Sequence, residues 1–301
     1  MNIVLIFSVL FAWSSSFSLG KIALNSASAP ILVTAFRMLL AGGVLIGIVF
    51  FKKQKLFLFK KKFLFYLFCL SLTGFYLTNI LEFYSLQYLT SANACFIYGL
   101  SPFMTALFSY LQLKEIISWR KIIGLMIGFL GYFPYLVYQS TYRKSLFSIG
   151  WPEISLIIAT LLASFGWTLM RKIEREFDIS VLSLNGTAMF FSGCIAFFHS
   201  YLLEDWNTSL IVNAYSFWRA LLLFIIISNL ICYNLYGWLL KHFSSTFLSF
   251  CGLTMPFFSA FFGWILLKET FSMSLVISVF VMIFGFWMVY KEELRLGYIN
   301  R

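Results

Sequence analysis

Charge is scarce in this sequence. Asp, Glu, Lys and Arg make up 11% of its 301 residues, against 61% hydrophobic residues. A water-soluble domain needs roughly a quarter of its residues charged to cover its exterior, so a soluble globular fold is excluded. Histidine is nearly absent: His199 and His242 stand alone in the sequence and do not have the ligand spacing of a zinc site. The five cysteines (Cys69, Cys95, Cys194, Cys232, Cys251) lie in apolar runs without CxxC spacing. They read as small apolar residues, not as disulfides or metal ligands. The chain has no HExxH, Walker loop or GxSxG, and no pair of carboxylates on one helix face. Enzymatic chemistry, a cofactor and direct ATP drive by this chain are therefore not expected.

Long apolar runs are abundant. Mean hydropathy is +0.90, and a run of about 20 apolar residues crosses the hydrocarbon core of a bilayer. Ten spans are predicted, at 2–20, 30–51, 63–84, 91–111, 120–139, 150–170, 181–202, 217–240, 245–267 and 272–290. Asn185, Asn229 and Asn234 interrupt the seventh and eighth. The first run reads as an uncleaved helix: Ala27-Ser28-Ala29 resembles a signal-peptidase site, but no basic residue precedes the run and Pro30 follows the cut.

The net charge of +11 reports orientation. With the N-terminus inside, the inner connections and C-terminal tail hold 16 Lys and Arg and the outer connections four, leaving Arg37 and Arg219 within or at the edge of spans. That bias places both termini in the cytoplasm by the positive-inside rule. It reads as lipid-headgroup contact and not nucleic-acid binding.

The apolar pattern occurs twice, 154 residues apart. Trp13 aligns with Trp167, Pro102 with Pro256, Leu113-Lys114-Glu115 with Leu267-Lys268-Glu269, and Gly131 with Gly285. From Ser101 to Ser118, 8 of 18 positions match their counterparts, where composition alone gives about two. Residues 1–146 and 147–301 are read as two five-span repeats, joined near Tyr142–Ser148. An odd number of spans turns the second repeat upside down relative to the first. The expected fold is an all-α integral membrane protein of ten transmembrane helices in two inverted five-helix repeats, an arrangement suited to alternating access around a midplane site.

Several residues are candidates for that site. Trp13 and Trp167 lie too deep for an interfacial aromatic belt and suit either a stacking wall for a ligand or plain packing. Ser14, Ser15 and Ser16 permit close helix approach and bonds to i−4 carbonyls, and Ser15 and Ser16 are candidates to offer hydroxyls to substrate. Arg37 lies a third of the way into its span, where facing lipid costs about 2.5 kcal/mol or more. It reads first as a structural clamp, with Glu82, backbone carbonyls or a substrate carboxylate as partners. Glu82 either snorkels or serves as a proton-coupling carboxylate. Asn79, Asn93, Tyr98, Asn229, Tyr233, Asn234 and Tyr236 are each worth about 0.6 kcal/mol as interhelical glue; together they point to an uncharged-to-zwitterionic cavity. Apart from Ser14, Asn234 and Tyr236, these residues make up the predicted substrate-binding set. Pro102 and Pro256, mid-span, read as hinges or packing kinks. Gly43-xxx-Gly47 and Gly124-xxx-Gly128 read as close-packing faces, and Lys114-Glu115 and Lys268-Glu269 as solvated turns bracing helical hairpins.

In Trp13-Ser14-Ser15, Phe36-Arg37, Tyr84 to Ala92 (YSLQYLTSA), Pro102 and Leu113-Lys114-Glu115, with their second-half echoes, the whole chain resembles the drug/metabolite transporter superfamily and within it the EamA family of ten-helix carriers. Ser14 departs from the glycine that commonly follows the tryptophan. The resemblance implies a bacterial inner-membrane carrier of amino acids, other small metabolites or drugs. The Phe-, Ile-, Leu- and Lys-rich composition suggests an AT-rich genome, as in reduced intracellular bacteria, and some similar carriers in such organisms take up S-adenosylmethionine. The expected function is secondary transport of a small polar or zwitterionic metabolite, with a counter-substrate or coupling ion, by a monomer or homodimer. A non-transporting membrane scaffold is the alternative. A channel is a third reading, disfavoured by the scarcity of charge rings.

Overall fold

The computed structural model describes residues 2–56, 58, 60–131, 150–207, 210–268 and 274–297. Among them the chain is helical, with one isolated bridge between Ala27 and Ile211. The helices are α1 (Asn2–Asn25), α2 (Pro30–Phe51), α3 (Lys61–Leu86), α4 (Ser91–Tyr98 and Ser101–Leu113) and α5 (Trp119–Leu130). They continue with α6 (Trp151–Phe177), α7 (Val181–Leu203), α8 (Ala214–His242), α9 (Ser245–Cys251, a 3-10 turn at Gly252–Thr254, then Met255–Leu267) and α10 (Ser274–Arg295). Eight of them, α1–α4 and α6–α9, are long and apolar enough to cross a membrane. Their outward faces carry Phe51, Phe65, Phe198 and Leu203, residues that hydrocarbon solvates and water does not. The predicted fifth span beyond 131, the joint near Tyr142–Ser148 and Glu269 lie outside the described residues.

Three edges differ from expectation. α1 runs to Asn25, so Lys21 is helical and not in a connection; its ammonium donates to Leu89 O at 2.9 Å. α6 continues to Phe177 because Arg171 is buried and ion-paired with Glu115, so its charge does not end the helix. α8 is continuous through Asn229 and Asn234. Its amides are satisfied within the bundle, Asn185 Nδ2 donating to Asn234 Oδ1 at 3.0 Å across α7 and α8.

The prolines do not kink unbroken helices. Pro102 and Pro256 each stand in the first turn of a new helical segment, where the missing N–H costs nothing. The breaks lie just before them, at Gly99-Leu100 and Gly252–Thr254. Each broken helix is capped at its start by a hydroxyl 154 residues from the other, Thr90 accepting from Asn93 N and Ser244 from Phe247 N. Each ends on a left-handed lysine, Lys114 and Lys268, both at φ 56°, which turns the chain sharply out of the helix. α3 and α8 each contain an eight-residue π-helical stretch, Leu70–Leu77 and Ile225–Cys232.

Packing runs across the two halves of the sequence. α2 lies along α7, and α5 along α10; α1 packs on α8 and α9, as α6 does on α3 and α4. Glycines set the closest approaches, since a Cβ at Gly42 would come within 2.5 Å of Phe190 N and one at Gly166 within 2.6 Å of Gly74 Cα. Gly124 and Gly128 pack against α10 and Phe250 as expected, but Gly43 and Gly47 have nothing within 4 Å. Their spacing is a packing motif by pattern only; Gly42, one residue earlier, faces the neighbour.

The solvated-turn reading fails for Glu115. It is buried and ion-paired with Arg171, whose guanidinium also approaches Ser245 Oγ at 3.4 Å. Lys121 and Glu293 form a second buried pair at 2.5 Å between α5 and α10.

Candidate functional site

Two apolar clusters fill the bundle, one around α2, α3, α7 and α8 and the other around α9, α10 and the start of α1. Trp13, Trp167, Ile227 and Met255 pack against both, and a cavity opens at that junction. About 860 Å³ of atom-free space, open solvent included, lies between its walls.

One wall is aromatic. Trp13 of α1 and Trp167 of α6 meet edge to face at 5.6 Å between ring centroids. Tyr233 and Tyr236 of α8 complete the group, lying 4.9 and 5.3 Å from Trp13 and 5.3 and 4.6 Å from Trp167. Rings so braced are held rigid and present π faces at little entropic cost.

The other wall carries charge. Arg37 of α2 is 2% exposed. Its Nε donates to Asn229 Oδ1 at 2.9 Å and its Nη1 to Asn79 Oδ1 at 2.8 Å. Phe224 lies beneath the guanidinium, 3.9 Å from Cζ to the ring centroid. Asn79 follows the π-helical stretch of α3 by two residues and Asn229 lies within that of α8; π-helical insertions frequently mark functional sites. Glu82 of α3 accepts a hydrogen bond from Tyr98 Oη at 2.8 Å. Arg37, Glu82 and Tyr98 all face the cavity.

The lining repeats at the 154-residue interval. Leu10 and Ser164, Trp13 and Trp167, and Glu82 and Tyr236 all face the cavity. So do Tyr98 with Gly252 and Ser101 with Met255, which lie at the two helix breaks. Equivalent positions thus meet around one space, yet apart from the tryptophans each pair differs in chemistry.

Of the predicted residues, Trp13, Ser16, Arg37, Glu82, Tyr98, Trp167 and Tyr233 line the cavity. Asn79 and Asn229 stand behind it and hold Arg37. Ser15 and Asn93 are not brought to it: Ser15 Oγ donates to Ala12 O at 2.7 Å, and Asn93 sits in the first turn of α4 beside its Thr90 cap. Pro102 and Pro256 mark the breaks without lining the space. Tyr236, Thr105 and Gly252 were not among the predicted set. Extending the 154-residue interval from Glu82 and Tyr98 would have reached Tyr236 and Gly252; Thr105 carries no comparable signal.

Comparison with known proteins agrees with this architecture. The EamA-like transporter family profile matches residues 1–136 and 150–291. A Chlamydia muridarum protein named S-adenosylmethionine/S-adenosylhomocysteine transporter is 46% identical over 302 residues, covering 99% of this chain and 94% of that one. A protein of the same name from Chlamydia trachomatis serovar L2 is 46% identical over 99% of this chain and 92% of its own length. A solved crystal structure at 16% identity superposes with a TM-score of 0.73 over 96% of this chain and 97% of the other, a likeness of fold. Helices of membrane-spanning length, the doubled family match and the named relatives lead to one conclusion: this multi-pass membrane protein belongs to the EamA-like transporter family and is a transporter, not an enzyme.

Proposed function

We propose that this chain exchanges S-adenosylmethionine for S-adenosylhomocysteine across a bacterial inner membrane. The observation that carries the reading is 46% identity over 99% of the chain to relatives bearing that name. The cavity chemistry supports it. Adenine stacks on π surfaces, which Trp13, Trp167, Tyr233 and Tyr236 supply. The amino-acid carboxylate takes a guanidinium, which Arg37 supplies from a fixed position. The two cargoes share base, ribose and amino-acid end, so one site serves both.

In this proposal the chain crosses the membrane ten times as two inverted halves, 1–146 and 147–301, with both termini cytoplasmic. Support comes from the 16-to-4 distribution of Lys and Arg, from the packing of each helix against the opposite half and from the paired lining positions. The breaks before Pro102 and Pro256 are the hinges, because a helix already interrupted there bends without losing further hydrogen bonds.

The test is counterflow. Liposomes holding the purified protein and loaded with unlabelled S-adenosylhomocysteine take up labelled S-adenosylmethionine, while empty or protein-free liposomes do not. If neither compound moves and neither binds, the cargo reading fails; if no solute of a broad panel moves, the scaffold reading replaces it.

A further inference from the structure

Arg37 and Glu82 are opposite charges that face one cavity without pairing. Among the described residues no ion pair joins them, although each lies within the other's electrostatic reach. The direct partners of Arg37 are two neutral amides and the Tyr233 hydroxyl, and that of Glu82 is a neutral phenol. Buried charges whose direct hydrogen-bond partners are all neutral are incompletely compensated. A ligand carrying an anionic and a cationic group on one carbon would neutralise both at once. At the 154-residue interval the counterpart of Glu82 is Tyr236 and that of Arg37 is Phe191, so only the α2–α3 side of the cavity is charged. The cavity is thus polarised, aromatic on one side and dipolar on the other.

We infer that Arg37 and Glu82 form a clamp for a zwitterionic α-amino-acid group, Arg37 receiving the carboxylate and Glu82, steadied by Tyr98, receiving the ammonium. This rests on the proposed cargo and adds to it that the charge pair, more than the base, selects among nucleosides. The alternative assignment gives Glu82 the sulfonium. The clamp accounts better for a site shared with the uncharged thioether, which has an ammonium but no sulfonium. The sulfonium is left to the ring faces, which attract cations.

Three probes test the clamp by binding to purified protein: S-adenosylhomocysteine; 5′-methylthioadenosine, which keeps base, ribose and sulfur but lacks the amino-acid end; and methionine, which has that end and no base. The wild type binds S-adenosylhomocysteine at least about tenfold more tightly than methylthioadenosine. Glu82→Gln removes most of that advantage and leaves methylthioadenosine binding unchanged, which also reports an intact fold; Glu82→Asp restores part of it. Equal binding of the two nucleosides by wild type overturns the clamp. So does an equal loss for both in Glu82→Gln, or S-adenosylhomocysteine binding that Glu82→Gln leaves unchanged. If wild type binds no adenosyl compound, the cargo reading has failed and methionine decides: binding that Glu82→Gln abolishes upholds the clamp, and binding it leaves intact, or no binding, overturns it.

Discussion

Arg37 shows how one residue's surroundings decide its role. A charged side chain a third of the way along an apolar span is costly unless it is received by the protein, and here Asn79 and Asn229 receive it from α3 and α8. Replacing Asn229 by alanine removes the acceptor for Nε and leaves a buried guanidinium under-satisfied. The expected loss is about 1–3 kcal/mol, read as a lowered unfolding midpoint in detergent, with weaker cargo binding as the guanidinium tilts. Ser15 is the contrast. Its hydroxyl bonds to Ala12 O one turn back and faces no cavity, so Ser15→Ala shifts stability by no more than about 0.5 kcal/mol and leaves transport intact.

At the scale of elements, close approach depends on which glycine faces a neighbour. Gly74 and Gly166 bring α3 and α6 together so tightly that an added Cβ at Gly166 would lie 2.6 Å from backbone. Gly166→Ala therefore costs about 1–3 kcal/mol through displacement of the two helices and shifts Gly74, which lines the cavity. Gly43 has open space around it, so Gly43→Ala gains up to about 1 kcal/mol of helix propensity. Thermal unfolding of the two variants side by side separates the cases; equal shifts would contradict the packing described here. The sequence announced Gly43-xxx-Gly47 as readily as Gly124-xxx-Gly128, because spacing fixes a stripe on a helix but not the direction in which the stripe points.

For the whole molecule, the proposed exchange moves charge. At neutral pH S-adenosylmethionine carries a net single positive charge and S-adenosylhomocysteine none, so each inward exchange carries one charge across the membrane. An inside-negative potential contributes about 2.3 kcal/mol per 100 mV to that step. In loaded liposomes, a potassium-diffusion potential of about 100 mV, negative inside, should raise the limiting accumulation of S-adenosylmethionine by about 50-fold. Insensitivity to potential would point to an additional coupled ion. The buried pairs Glu115–Arg171 and Lys121–Glu293 bind α4, α5, α6, α9 and α10 together at one end of the bundle, so opening there must break or carry along these contacts.

The sequence alone determined the membrane class, most helix extents, the duplication and the family, because these follow from chain-wide quantities: apolar run length, charge asymmetry and a fixed interval. It also marked Trp13, Trp167, Arg37 and Glu82, which are conspicuous in apolar surroundings. It left open which neighbours receive Arg37 and that Ser15 and Asn93 do not line the cavity, and it misread Glu115 as solvated. Only the tertiary structure decided those points. Whether a polar side chain faces a partner, a cavity or its own helix depends on helix rotation, on the π-helical stretches and on contacts between residues up to 192 positions apart, as Arg37 and Asn229 are. The physical reason is that local pattern sets what a helix is made of, while packing against other helices sets which way it faces.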